Sequence, residues 1–486
     1  MTRVRILVGS IAAALAGLPA MAGSRPADLS PRLAAALARS EASERQVAWV
    51  FLTDKGGADL RVERERAEQP GARAVLRRVL RGQWSARQAF EDLPVPADYV
   101  EAVARLARVR QVSRWFNAVS VEADARALEE LARLPFVERL DLVGRFPAGR
   151  PEPSAPASVR SSPGARPSAA GEVDYGASLG QLQQIQVPAV HAQGLDGSGV
   201  VVAVFDSGFD NLGHEALATT RVLAARDFVN SDDDVADGTD RGEGSHGTNT
   251  LSVLGGYRPG QLVGPAYRAS FLLAKTENTD SETPVEEDNW AAAAEWAEAL
   301  GADVISSSLG YLTYDTPFAS LSWADMNGRT AISTLAAEKA AERGVVVVVS
   351  AGNEGYSAEH NTLGAPADGI RVLTAGAVDA FGVRAAFSSV GPTADLRIKP
   401  DVAAQGQAVL AAGSFGPTSY VNVNGTSFSC PLTAGVVALL LQAHPGYTVD
   451  QVLAVMRSTA SRAAQPDNLL GWGIANAAAA VAAPAP

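Results

Sequence analysis

At 486 residues the chain has room for roughly two or three domains, and with 47% apolar residues it should fold rather than stay disordered. Its net charge of −12 is uneven: residues 1–170 hold 26 Lys+Arg against 19 Asp+Glu, and residues 171–486 hold 15 against 34, an acidic balance that disfavours nucleic acid as a partner. The single cysteine, Cys430, excludes an internal disulfide and reads as a small buried hydrophobe, so cohesion must come from packing or bound ions.

The chain opens with the pattern of a secretory signal over 1–22. Arg3 and Arg5 give a basic start, residues 6–18 are apolar, and Ala20-Met21-Ala22 fits small-x-small cleavage. The apolar run is shorter than the ~20 residues a membrane span needs, so a cleaved signal and export are expected, and no membrane association after its removal. Later in the chain no stretch reads as long and apolar enough to span a bilayer.

A small mixed unit follows over 23–143. Residues 46–52 read as a strand, 72–81 and 97–108 as helices, 114–123 as strand-like, 124–134 as a helix and 136–143 as a closing strand. This predicts an open α+β sandwich. Residues 144–172 are rich in Pro, Ser, Ala, Gly and Arg without apolar period, and read as a linker open to proteolysis. The opposite charges of the flanking parts suggest that they attract each other.

From 173 to 486 short apolar runs alternate with helical stretches. The runs are 200–205, 270–274, 303–306, 345–350 and 372–377; the helices include 290–300 and 331–343. Strands buried on both faces and joined by helices predict an α/β domain with a mainly parallel sheet, whose site should lie beyond the carboxyl ends of the strands.

Chemistry-bearing residues fall at those ends. The first run ends in Asp206-Ser207-Gly208, a carboxylate held at a strand end and suited to orienting a histidine. Gly244-Ser245-His246-Gly247-Thr248 carries one of only five histidines. Residues 345–349 lead into Ser350-Ala351-Gly352-Asn353, which sets an amide donor just past a buried strand. Gly425-Thr426-Ser427-Phe428-Ser429-Cys430-Pro431 precedes a helical run, so Ser427 should sit at a helix N-terminus, where N–H groups and the dipole favour a developing oxyanion. Taken singly, each is matched by a turn, capping or structural role. Together, in the chain order Asp, His, Ser, they form the set of a nucleophilic hydrolase of one particular order. An esterase of the α/β-hydrolase kind would need Gly-x-Ser-x-Gly ahead of its acid and histidine, whereas Ser427 lies in Gly-Thr-Ser-Phe-Ser after both.

On these residues the stretch 173–480 resembles the subtilisin-like serine proteases, the subtilase family. Gly213-His214-Glu215-Ala216-Leu217 is similar to the family's turn after the aspartate. Residues 302–310 resemble its substrate-binding strand, and 387–393 and 399–404 are further landmarks. The resemblance implies a serine endopeptidase with Asp206, His246 and Ser427 as triad and Asn353 in the oxyanion hole. Ser308, Leu309 and Gly310 with Ala351 and Gly352 would line the cleft for protein or peptide substrates. It also implies that 23–143 is a propeptide acting as the enzyme's own inhibitor. The alternative is an inactive subtilase that only binds peptides. Asn249 and Phe428 depart from the family's usual histidine and methionine at positions that carry no proton. No cofactor is needed for the chemistry. Asp232, Asp233, Asp234, Asp237 and Asp240 form an acidic run compatible with structural calcium, but their spacing assigns no metal ligands.

Overall fold

The computed structural model describes residues 27–39, 44–56, 70–144, 173–236, 244–316 and 318–486. The expected signal, nearly all of the expected linker, and Asp237 and Asp240 of the acidic run lie outside them.

The N-terminal unit is a five-stranded sheet with helices. Gln46–Leu52 sits at its centre, paired antiparallel to Ala118–Ala123 and Val137–Gly144. Arg108–Ser113 closes one edge and Asp28–Leu29 the other. The helices are Pro31–Arg39, Ala72–Leu80, Ala86–Glu91, Ala97–Ala104 and Ala125–Leu131. The Asp124 side chain caps the last of these by accepting from the Ala127 N–H. Two expectations are corrected. The helix expected over 97–108 ends at Ala104 and is followed by a strand, Arg108–Ser113, that was not foreseen, and the strand expected over 114–123 begins only at Ala118, after a turn.

The second unit is built on a seven-stranded sheet. In order across it run Val402–Gln405, Val372–Val378, Val346–Ser350, Val304–Ser307, Val201–Asp206, Ser270–Lys275 and Arg221–Asp227, every neighbouring pair parallel. The α/β fold with a mainly parallel sheet is thus as expected. Its strands are apolar without alternation because both faces are covered. Val346 and Val348 point into the core that contains helix Thr426–Ala443, while Val347 and Val349 point into the core beneath helices Val285–Ala299 and Ile332–Glu342. Thr426–Ala443 is also, by length and composition, apolar enough to cross a membrane, which corrects the reading that no later stretch is; here it is the buried core helix.

The sheet of the N-terminal unit lies against the second of these cores. Trp49, Phe51 and Val143 pack with Val285 and Ile332. Ser120 donates to Asp288 and Ser113 to Glu295, and the Arg114 N–H reaches Glu295 Oε2 at 3.2 Å.

Candidate active site

Asp206, Ser308–Gly310 and Ala351–Asn353 lie at or just beyond the carboxyl ends of three adjacent strands, where a parallel sheet leaves a crevice, and His246 and Ser427 lie in the first turns of helices that meet those strand ends at Asp206 and Ser308. Asp206 is the last residue of its strand and is fully buried. Its Oδ1 accepts from the Ser207 N–H at 2.8 Å and from His246 Nδ1 at 2.7 Å; its Oδ2 accepts from the Thr250 hydroxyl at 2.8 Å. His246 and Thr250 lie one turn apart on helix His246–Gly255, so one helix face brings both donors to the carboxylate. Burial alone would lower the imidazole's affinity for a proton, but the Asp206 charge and hydrogen bond outweigh it and raise the His246 pKa above the ordinary value.

The other four histidines are each tied to a backbone carbonyl: His191 to Pro265, His214 to Ser419, His360 to Asn361 and His444 to Val481. Among the described residues only His246 is hydrogen-bonded to a carboxylate, and its ring remains about one-third exposed (35%) beside the Phe428 ring, 5.4 Å away.

Helix Thr426–Ala443 begins one residue before Ser427, so Pro431 lies inside it rather than ahead of it. Gly425 leads in with φ 148°, a backbone open to glycine. The Ser427 hydroxyl donates to the Ser308 carbonyl at 3.3 Å, and the Ser308 hydroxyl donates to the Ser427 carbonyl at 2.7 Å. The structure therefore brings Asp206 and His246 into direct contact and holds Ser427 against the strand end at Ser308. Nucleophile and base often close their hydrogen bond only around a substrate.

Asn353 follows the strand Val346–Ser350. Its Oδ1 accepts from the Thr426 N–H at 2.9 Å and the Thr426 hydroxyl at 3.0 Å. The amide nitrogen keeps its donors unused among the described residues. Gly352, next to it, has φ 109°, and a Cβ there would come within 2.8 Å of Ser389 Oγ, so only glycine fits. Ser308, Leu309 and Gly310 continue from Val304–Ser307, and Ser350 Oγ holds the Leu309 carbonyl at 3.2 Å. Gly364 faces Gly310 closely: a Cβ on Gly364 would lie 3.4 Å from it. Ala351 and Gly352 form the facing wall; the Gly352 N–H donates to Thr426 Oγ1 at 3.2 Å and the Gly364 N–H reaches the Ala351 carbonyl at 3.4 Å.

Sequence reasoning missed three supports: Thr250 on Asp206, Thr426 on Asn353 and Ser308 on Ser427. Thr426 was legible as part of Gly-Thr-Ser; Thr250, four residues after His246, was legible as sharing its helix face. Cys430 is fully buried against the carbonyls of Ser307 and Val348, and burial pushes its thiol up to about 12, as a packing residue requires. In the acidic run, Asp232 and Asp234 cap backbone N–H groups of Asp234 and Ala236, and Asp233 pairs with Arg226. Among the described residues no group of three or more His, Cys, Asp or Glu could hold a metal ion.

Comparison with known proteins follows the same lines. The sequence model of the Subtilase family matches residues 197–473, and that of the peptidase S8 propeptide domain of Bacteroidota matches residues 47–155. Subtilisin NAT of Bacillus subtilis subsp. natto is 33% identical over 360 residues, 73% of this chain and 78% of its own. Subtilisin of Bacillus pumilus is 35% identical over 287 residues, 58% of this chain and 90% of its own. Among solved structures, fervidolysin from Fervidobacterium pennivorans, a keratinolytic enzyme related to subtilisin, aligns with a TM-score of 0.60 at 22% identity over 92% of this chain and 62% of that one, a likeness of fold. A protease of Pseudoalteromonas arctica aligns at 0.51 with 25% identity over 64% and 99%.

Proposed function

The chain belongs to the subtilase family of serine endopeptidases, and from that premise we propose that it is exported as a zymogen and cuts peptide bonds with Asp206, His246 and Ser427. In this reading Ser427 Oγ attacks the substrate carbonyl while His246 takes its proton. The imidazolium is held by Asp206, and it then protonates the leaving amine. Water hydrolyses the acyl-enzyme by the same path in reverse. Asn353 Nδ2 and the Ser427 N–H receive the oxyanion. Residues 308–310 and 351–352 bind the substrate as an added strand.

The observation that carries the reading is the 2.7 Å bond between His246 Nδ1 and the buried Asp206, made by the one histidine that faces a carboxylate among the described residues, whose ring lies 5.4 Å from that of Phe428, the neighbour of Ser427. An inactive peptide-binding subtilase would have no need to set a buried carboxylate against that imidazole.

The N-terminal unit, matched by a propeptide model, is read as the prodomain that inhibits the peptidase until a cut within 144–172 separates them, after loss of a signal over 1–22. Subtilases need no cofactor for the chemistry, and calcium has no assigned site in this reading.

The test is casein hydrolysis together with labelling by an organophosphonate serine probe, on the wild type and on Ser427→Ala. The wild type should turn over casein and take the label, and the variant should do neither. N-terminal sequencing of the secreted form should begin beyond residue 143. A variant that digests casein normally would remove Ser427 from the chemistry.

A further inference from the structure

The cleft lies at the carboxyl ends of the strands; the opposite end of the same sheet is also occupied. Helix Ala72–Leu80 of the N-terminal unit crosses there and carries Arg73, Arg77 and Arg78, with Arg81 just past its end. Glu298 lies near the C-terminus of helix Val285–Ala299, and Asp303 directly precedes the strand Val304–Ser307. Both sit at the amino ends of the strands, roughly 15 Å of strand away from the cleft at about 3.3 Å per residue.

Glu298 is fully buried. It accepts Arg78 at 2.9 and 2.7 Å and also takes Arg77. Asp303 takes Arg73 on one oxygen and Arg81 on the other, the latter at 3.1 Å. Arg78 also pairs with Asp92 of its own unit, and other guanidinium donors go to backbone carbonyls: Arg73 to Gly199 at 2.7 Å and Gly301 at 3.0 Å, Arg77 to Ala302 and Arg81 to Gly344. These are the carbonyls of a helix C-terminus and of strand-entry turns, which favour cations. The pairing also runs the other way. Arg343 of the peptidase side is fully buried and donates to Glu91 of the N-terminal unit at 2.8 Å, and Lys339 joins it at 2.9 Å. Charges crossing in both directions fix one register, because any slip buries a charge without a partner.

We propose that this end of the sheet is a docking seat for the arginine-bearing helix, which holds the N-terminal unit on the peptidase independently of the cleft. The proposal rests on the reading of that unit as the peptidase's own inhibitor. The unit is thereby held at the seat as well as through its sheet, so a cut within the linker does not by itself free it. The local concentration of the unit at the peptidase stays high for as long as the seat is filled. The peptidase surface exposed on release carries Glu298 and Asp303 and fits a helix with arginines one turn apart.

The experiment uses the full chain with its linker cut, by the chain itself or by added trypsin. The cleft is then filled with a peptidyl phosphonate on Ser427, and the sample is run by gel filtration in low and high salt. Wild-type N-terminal unit should co-elute with the labelled peptidase. Arg73→Ala/Arg81→Ala on one side, and Glu298→Gln on the other, should each weaken retention by about tenfold or more. Elution of labelled wild-type peptidase free of the N-terminal unit would overturn the proposal, as would variants that retain it as tightly as the wild type. Should one variant fail to fold, judged by circular dichroism of the uncut chain, the other and the wild-type result still decide. Absence of labelling would count against Ser427 as nucleophile, while the comparison of wild type and variants without the label would still test the seat.

Discussion

Ser308 donates its hydroxyl to the backbone carbonyl of Ser427 at 2.7 Å, and Pro431 is the reason that carbonyl is free. In a helix the carbonyl of Ser427 would accept from the N–H four residues on, but proline has none. The gap left in the helix ladder is filled from the end of strand Val304–Ser307, which ties that strand end to the residue proposed as nucleophile.

Ser308→Ala should therefore act on both stability and catalysis. It leaves a buried carbonyl unsatisfied, at a cost of about 1–3 kcal/mol. It also frees the first turn of the helix that carries Ser427, so turnover should fall by about tenfold with little change in KM. Thermal unfolding in the Ser427→Ala background and steady-state kinetics on a tetrapeptide substrate measure the two effects. An unchanged melting temperature would show that water replaces the hydroxyl without loss.

Asn353→Ala separates oxyanion stabilisation from folding, since the amide takes no part in proton transfer. Loss of one such donor should lower kcat by roughly 10²–10³ and barely move KM. Thr426→Val is the companion change. It removes the hydroxyl that holds Asn353 Oδ1 at 3.0 Å but keeps the N–H at 2.9 Å, so kcat should fall by a smaller factor, about tenfold. If Asn353 were only a turn residue, its alanine variant would lose melting temperature and keep its turnover per folded molecule.

The pH dependence of kcat/KM should report His246. The imidazole must be neutral to accept the Ser427 proton. The Asp206 charge raises its pKa, so activity should rise with pH along a limb centred above the ordinary imidazole value of about 6.5. In Asp206→Asn the raising charge is gone and burial is left to lower the value. The limb should then move to lower pH while kcat drops by about 10⁴. A limb that stays in place in Asp206→Asn would assign it to another group.

Much of this site was readable before the fold was known. Asp206, His246, Asn353 and Ser427 announce themselves because each lies at a strand end or helix start, where glycine and small residues mark a tight approach. What stayed hidden depends on contacts between distant segments. Nothing near Ser308 in sequence shows that Pro431 has freed a carbonyl for it. Strand Arg108–Ser113 went unread because its arginines obscure the alternation expected of a strand, and it is an edge strand. Arg221–Asp227 is also an edge, mostly exposed or half-buried, and lacks the continuous apolar run that revealed the central strands. The helix at Thr426 was read late because Pro431 looks like a breaker, yet it lies close enough to the N-terminus to be tolerated once another donor covers the gap.

Stability should also carry a pH signature of opposite sign to that of most proteins. Three carboxyls of the peptidase unit are held above their ordinary values, chiefly by burial: Glu277 at about 7, Glu282 at about 8 and Asp288 at about 7. Unfolded, they would titrate near 4. Between those values the folded chain keeps protons that the unfolded chain has released. The stabilisation they give is complete below about pH 4 and is lost as pH rises through 7 to 8, by up to about 1.4 kcal/mol per pH unit for each group. Glu277 offers the cleanest test. It accepts from the Tyr311 hydroxyl at 2.6 Å and the Thr276 hydroxyl at 2.8 Å, and glutamine can still accept through its amide oxygen. In the Ser427→Ala background, which prevents self-digestion, Glu277→Gln should melt at the wild-type temperature at pH 5 and above it at pH 8. Equal pH slopes in the two proteins would mean that Glu277 is already ionised in the fold, its charge met by groups other than the two hydroxyls.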